Sequence, residues 1–171
     1  MRTQHNTTRN IVMAALLAAL TCVATMLIKI PSPLKGYVNL GDCIVLLCGW
    51  MLSPVYGFLA AGVGSGLADL FAGYAIYVPA TFLIKGLMAL TAHLGFKLFA
   101  KWRNGTLARV VTGALAEIVM ILGYYIFEGV LYGFGASLVN IPANAVQGVA
   151  GIILGTVLIK VFQKANLFIK A

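Results

Sequence analysis

Residues 110–131 read VVTGALAEIVMILGYYIFEGVL. The run is apolar except for a threonine, two tyrosines and the two carboxylates Glu117 and Glu128. An α-helix of about 20 such residues crosses the hydrocarbon core of a bilayer, about 30 Å thick. Ionisable side chains within a spanning helix cost about 2.5–3.5 kcal/mol each on insertion scales, so they face the protein interior and mark function by default. At about 100° per residue, Glu117, Tyr124 and Glu128 share one narrow face. Along the axis the two acids are about 16 Å apart, one near mid-membrane and the other near a mouth. That separation is too wide for a pair of catalytic carboxylates.

The rest of the chain agrees that the solvent is lipid. Of 171 residues, 61% are hydrophobic and 9% charged, with a mean hydropathy of +0.99. A soluble domain carries about 25% charged residues. The 19 glycines suit membrane helices that pack closely. The net charge of +8 does not form the single basic stripe of a nucleic-acid-binding protein; it falls in small clusters between apolar runs. Cys22, Cys43 and Cys48 lie inside such runs with no CxxC pair, so no metal site and no cofactor is expected.

Outward from residues 110–131, the sequence predicts an all-α integral membrane protein, a single domain over 1–171 built as a six-helix bundle. Its spans fall at roughly 10–28, 40–52, 55–72, 79–101, 110–131 and 143–162. The first, although preceded by Arg2 and Arg9, is longer than a signal-peptide core and reads as a retained helix. It ends at Lys29-Ile30-Pro31-Ser32-Pro33-Leu34-Lys35-Gly36, where prolines and glycine stop a helix. The second is short at 13 residues, and if it fails to cross, the charge count below fails with it.

Six spans place Arg2, Arg9, Lys97, Lys101, Arg103, Arg109, Lys160, Lys164 and Lys170 on one side, against Lys29 and Lys35 on the other. Nine against two sets both termini in the cytoplasm. Trp50 and Trp102 fall at the inner boundary, and Tyr37, Tyr74, Tyr77 and Tyr132 at the outer one.

All four acids, Asp42, Asp69, Glu117 and Glu128, lie in or at the edge of apolar spans, as does Lys85. Lys85 reads either as a pocket residue or as half of an ion pair with Glu117 or Asp69. His93 reads as a packed or lipid-facing residue. In the last span Asn140, Asn144, Gln147, Gly151 and Gly155 form one face, with amides toward the outside and glycines inward. Amides offer donors and acceptors to a neutral polar heterocycle, although the same face could serve interhelical bonding. Small residues at Ala14/Ala18, Ala15/Ala19, Gly57/Ala61/Ser65 and Ala68/Ala72 allow close helix approach, either inside the bundle or against another membrane protein. No GxxxxGK[ST], HExxH or GxSxG occurs, and the halves do not mirror each other as in many carriers. An outward pocket with no energy source needs a partner.

Three stretches then carry a family resemblance: Gly36-Tyr37-Val38-Asn39-Leu40-Gly41-Asp42, Gly62-Val63-Gly64-Ser65-Gly66-Leu67-Ala68-Asp69-Leu70, and Pro79-Ala80-Thr81-Phe82-Leu83-Ile84-Lys85-Gly86. Together with Glu117–Glu128 and Asn140–Gln147, the chain resembles the S components of energy-coupling-factor (ECF) vitamin transporters. It is nearest the members for hydroxymethylpyrimidine, pyridoxine or riboflavin. The resemblance implies a substrate-binding subunit in the cytoplasmic membrane of a prokaryote, not an enzyme. It would capture a water-soluble vitamin or precursor, hydroxymethylpyrimidine or pyridoxine ahead of riboflavin. It would work with a transmembrane coupling subunit and two ATPase subunits, and topple in the membrane to deliver its cargo. The pocket would lie in the outer halves of helices four to six under the first and third outer loops, and Ala14, Ala15, Ala18 and Ala19 would dock the coupling subunit. The expected substrate-binding residues are Asn39, Tyr74, Tyr77, Lys85, Glu117, Tyr124, Glu128, Asn140, Asn144 and Gln147. The tyrosines would stack on a ring and the glutamates would accept from ring or hydroxyl donors. Other readings are an autonomous ion-coupled secondary carrier of a small heterocycle, with Glu117, Asp69 and Lys85 as its relay, and a non-transport assembly subunit.

Overall fold

Glycine, proline and asparagine set where the helices begin and end. The computed structural model describes residues 2–32, 37–99 and 104–164. Pro33, Lys35, Lys101, Trp102, Arg103 and Lys170 lie outside the described residues, as does the side chain of Arg2. Helix α1 (Arg2–Leu27) leads into an antiparallel hairpin of β1 (Lys29–Pro31) and β2 (Tyr37–Asn39), with Lys29 opposite Asn39. Then come α2 (Asp42–Met51) and α3 (Pro54–Phe71), whose first position is the proline that tolerates a helix start. A 3-10 turn over Ala75–Tyr77 opens α4 (Val78–Leu98). Helix α5 (Gly105–Tyr132) is capped by the Asn104 side chain, which accepts from the amides of Thr106 and Leu107 at 3.1 and 3.2 Å. It stops at Gly133, whose φ of 95° suits glycine. A single turn, α6 (Phe134–Ser137), and a 3-10 turn over Leu138–Asn140 lead into α7 (Ile141–Lys164).

Among the described residues, five helical segments are long and apolar enough to cross a membrane: Thr7–Leu27, Pro54–Phe71, Ala75–Leu98, Gly105–Tyr132 and Phe134–Lys164. The expected second span is shorter still than its apolar run. Helix α2 has 10 residues, about 15 Å of axis, which is half of a bilayer core. It is nonetheless central. Every residue from Asp42 to Gly49 is buried, and α2 packs against α1, α3, α4 and α7. Asp42, its first residue, pairs with Lys85 on α4, about two turns or 10 Å below that helix's start. Strand β2 therefore dips into the bundle, and α2 fills only the half away from the hairpin.

The core is Leu17, Val45, Leu46, Leu47, Cys48, Met88, Ala89, Ala92 and Met120 with their neighbours. Large apolar side chains such as Leu16, Val55, Leu83, Ile118, Val146 and Ile153 point outward from the bundle, an exterior suited to lipid. The small-residue seam of α3 packs internally: a Cβ at Gly64 would lie 2.4 Å from the Ala18 carbonyl oxygen of α1. Ala14 and Ala18 are accordingly half-buried, whereas Ala15 and Ala19 are exposed. Trp50, expected at the membrane boundary, turns inward and donates from Nε1 to Thr112 Oγ1 at 3.2 Å. His93 packs with Nδ1 3.2 Å from the Gly49 carbonyl.

Candidate functional site

The half-length of α2 leaves space above it, and strands β1 and β2 and the connections 72–77 and 133–140 gather at that end of the bundle. A polar cavity, open at its mouth, lies in this space. Its lining is Ser32, Tyr37, Asn39, Asp69, Tyr74, Tyr77, Thr81, Tyr124, Glu128, Asn140, Asn144 and Gln147. Among these described residues there are two carboxylates, four tyrosines, six further amide or hydroxyl side chains, and no lysine, arginine or histidine.

Each carboxylate is held by neutral donors. Asn140 Nδ2 donates to both oxygens of Glu128 at 2.9 Å, and the Tyr77 hydroxyl reaches Oε1 at 3.4 Å. The Tyr37 hydroxyl donates to Asp69 Oδ1 at 2.6 Å, a charge-assisted bond. Burial, and next the charge of Asp69, push the Tyr37 phenol well above its ordinary pKa, so it remains the donor. Tyr37 also stacks obliquely on Tyr74, with centroids 5.0 Å apart, and Tyr74 meets Tyr77 edge-on at 6.2 Å. Thr81 Oγ1 and the Tyr124 hydroxyl lie 3.0 Å apart. The hairpin is thus laid over the cavity by contacts to α3 and α7.

A second polar layer lies beneath. Asn39 N donates to Gln147 Oε1 at 2.7 Å, and Gln147 Nε2 donates to Asp42 Oδ2 at 2.6 Å. The other oxygen of Asp42 takes the Lys85 ammonium, with both side chains buried. Glu117 is 4% exposed, and neither of its oxygens has a hydrogen-bond partner among the described residues. It lies against the glycine face of α7. A Cβ at Gly151 would be 2.9 Å from Asp42 Cβ and 3.0 Å from Glu117 Oε1.

Of the residues expected at the site, Asn39, Tyr74, Tyr77, Tyr124, Glu128, Asn140, Asn144 and Gln147 line the cavity. Lys85 and Glu117 do not; they belong to the layer below. Lys85 pairs with Asp42, not with Glu117 or Asp69, because β2 brings the start of α2 to its depth. Sequence reasoning left out Ser32, Tyr37, Thr81 and Asp69. Asp69 had a usable signal, as an acid in the last turn of a helix that ends on the Glu128 side.

The described residues hold no cluster of three or more His, Cys, Asp or Glu that could bind a metal. The site offers hydrogen bonds and stacking with no group placed as a nucleophile.

Comparison with known proteins points to one family. A family model described as "ECF-type riboflavin transporter, S component" matches residues 5–164. An uncharacterised protein of Pyrococcus woesei is 39% identical over 135 residues, covering 78% of this chain and 87% of the relative. The "Thiamine precursor transporter HmpT" of Lactococcus lactis is 27% identical over 169 residues, covering 93% and 90%. A solved structure described as "Structure and mechanism of the S component of a bacterial ECF transporter" shares the fold. Its TM-score is 0.66 at 22% identity, over 94% of this chain and 98% of that one. With its membrane-spanning helices and a family match over nearly its whole length, the chain belongs to the ECF-type riboflavin transporter S component family.

Proposed function

We propose that this chain captures a small, unphosphorylated nitrogen heterocycle at the hairpin end of the bundle, with hydroxymethylpyrimidine favoured, pyridoxine next and riboflavin after it. The carrying observation is the lining: two buried carboxylates, Asp69 and Glu128, with no cationic side chain among the described residues. Such a site disfavours phosphate, for which basic groups would be needed. It favours a ring bearing N–H donors. An aminopyrimidine protonated on the ring presents two adjacent N–H groups, which match the two oxygens of one carboxylate as a guanidinium does. The tyrosines supply faces for the ring. The similarity to a thiamine precursor transporter supports the same cargo class.

In this reading the hairpin end faces outward and both termini face the cytoplasm of a prokaryotic cell, an orientation supported by the excess of basic residues on the other side, with β2 and α2 together making the second crossing. A transmembrane coupling subunit and two ATPase subunits supply the energy, and the exposed Ala15 and Ala19 face of α1 meets the coupling subunit. The test is calorimetric titration of the detergent-purified chain with hydroxymethylpyrimidine, pyridoxine, riboflavin and the phosphate esters of each. Tight binding of an unphosphorylated heterocycle and rejection of its ester is the expected outcome. Preference for the ester would overturn the reading of the lining. Ion-gradient-driven uptake by the chain alone in liposomes would favour the autonomous carrier.

A further inference from the structure

The layer below the cavity contains a chain of four groups in which each fixes the next. An ionised Asp42 is acceptor-only, and an ammonium or backbone N–H is donor-only. Gln147 stands between an acceptor on one side, Asp42 Oδ2, and a donor on the other, Asn39 N. Its amide therefore has one orientation that satisfies both neighbours. Turned over, it would set Nε2 against the Asn39 N–H and Oε1 against a carboxylate oxygen. Asp42 in turn is fixed by its buried contact with the Lys85 ammonium.

We propose that Lys85 and Asp42 are positioning residues: without touching the ligand, they orient the Gln147 amide so that its oxygen grips the backbone of β2 and holds the hairpin over the cavity. The charged and titratable groups facing this layer are Lys85 from α4, Glu117 and Tyr124 from α5, and Asp42 and Cys43 from α2. Loss of the Lys85 ammonium removes the partner that holds the Asp42 carboxylate in place. Gln147 then has no fixed acceptor on that side, and its amide can turn over. Asn39 N loses its acceptor, and a substitution two turns down α4 releases the strand at the mouth.

The test reads the empty protein by hydrogen exchange of the β2 amides, resolved to Asn39. Asp42→Asn presents an N–H to Gln147 and is expected to speed Asn39 exchange about tenfold or more, the loss of one buried hydrogen bond. It keeps the shape of the site. Gln147→Glu alone sets two carboxylates face to face and is expected to loosen β2 as well. Combining the two moves the carboxylate one station along. Lys85 then donates to the introduced amide oxygen at 42, whose N–H meets the carboxylate at 147, which still accepts from Asn39 N. Exchange is expected to return to near the parent rate, a rescue that a merely structural role does not give.

Lys85→Met is expected to match Asp42→Asn. If it does not fold, the Asp42 and Gln147 cycle still decides. The proposal is overturned if the folded single variants protect Asn39 as the parent does, or if the double variant is as loose as the singles. Slower ligand release from a tethered hairpin rests on the binding reading above. Exchange in the empty protein does not, so a missing vitamin heat with an intact rescue would remove the cargo and keep the relay.

Discussion

Asp69→Asn separates charge from shape at the cavity. Asp69 is 6% exposed, accepts from the Tyr37 hydroxyl at 2.6 Å and lines the cavity. The substitution keeps the outline and one carbonyl acceptor and removes the charge. Hydrogen bonds to charged groups contribute about 1.5–3 kcal/mol against about 1 for neutral ones. Exchanging one such bond to a heterocyclic N–H for a neutral one loses about 0.5–2 kcal/mol, which at about 1.4 kcal/mol per tenfold weakens binding roughly twofold to 30-fold. The fold is expected to hold, because removing a carboxylate from a buried site also removes its desolvation cost. Glu128→Gln is a less clean probe, since Asn140 Nδ2 bridges both Glu128 oxygens and would face an introduced NH₂. The assay is calorimetric titration with hydroxymethylpyrimidine alongside thermal unfolding in the same detergent. Unchanged affinity in a folded Asp69→Asn protein would refute the role given to the carboxylate.

Tyr37→Phe keeps the ring against Tyr74 and removes the tether to Asp69, so stopped-flow release should quicken about tenfold; an unchanged rate would free the hairpin from that contact. The raised phenol pKa means this tether is fully present below the ordinary phenol value of about 10 and lost only as pH rises above it. Release should therefore be flat between about pH 7 and about pH 9, and a rise there would contradict the assignment. Gly151→Ala would place a Cβ 2.9 Å from Asp42 Cβ and should destabilise the fold by about 1–3 kcal/mol, read as a lower unfolding temperature. Ala19→Trp, on the exposed face of α1, should abolish co-purification with an ATPase-bearing complex while leaving ligand binding intact. Ala18→Trp, facing α3, should instead reduce the yield of folded protein, and equal behaviour of the two would contradict the division of that face.

Much of this architecture is legible along the chain because lipid imposes a simple rule of about 20 apolar residues per crossing. The same rule explains what was hidden. An apolar run of 13 residues tells that α2 is short but not which half of the bundle it fills. That depth decides which partner Lys85 takes and why Glu117, on the face of α5 shared with Tyr124 and Glu128, ends up below the cavity. Helical periodicity fixes the angle around an axis and says nothing of the floor. The amide and glycine face of α7 is legible because Asn144, Gln147, Gly151 and Gly155 follow one another at steps of three, four and four residues, each close to one turn. Tyr37 was read as a boundary tyrosine because a hairpin that folds back into a bundle leaves no period in three-residue strands.

The most direct test of the account is to release whatever co-purifies with the chain from its native membrane and identify it by mass spectrometry. An unphosphorylated nitrogen heterocycle, bound again on titration, is the outcome expected of a cavity lined by Asp69, Glu128 and four tyrosines. A phosphorylated or anionic compound bound in that cavity would contradict it.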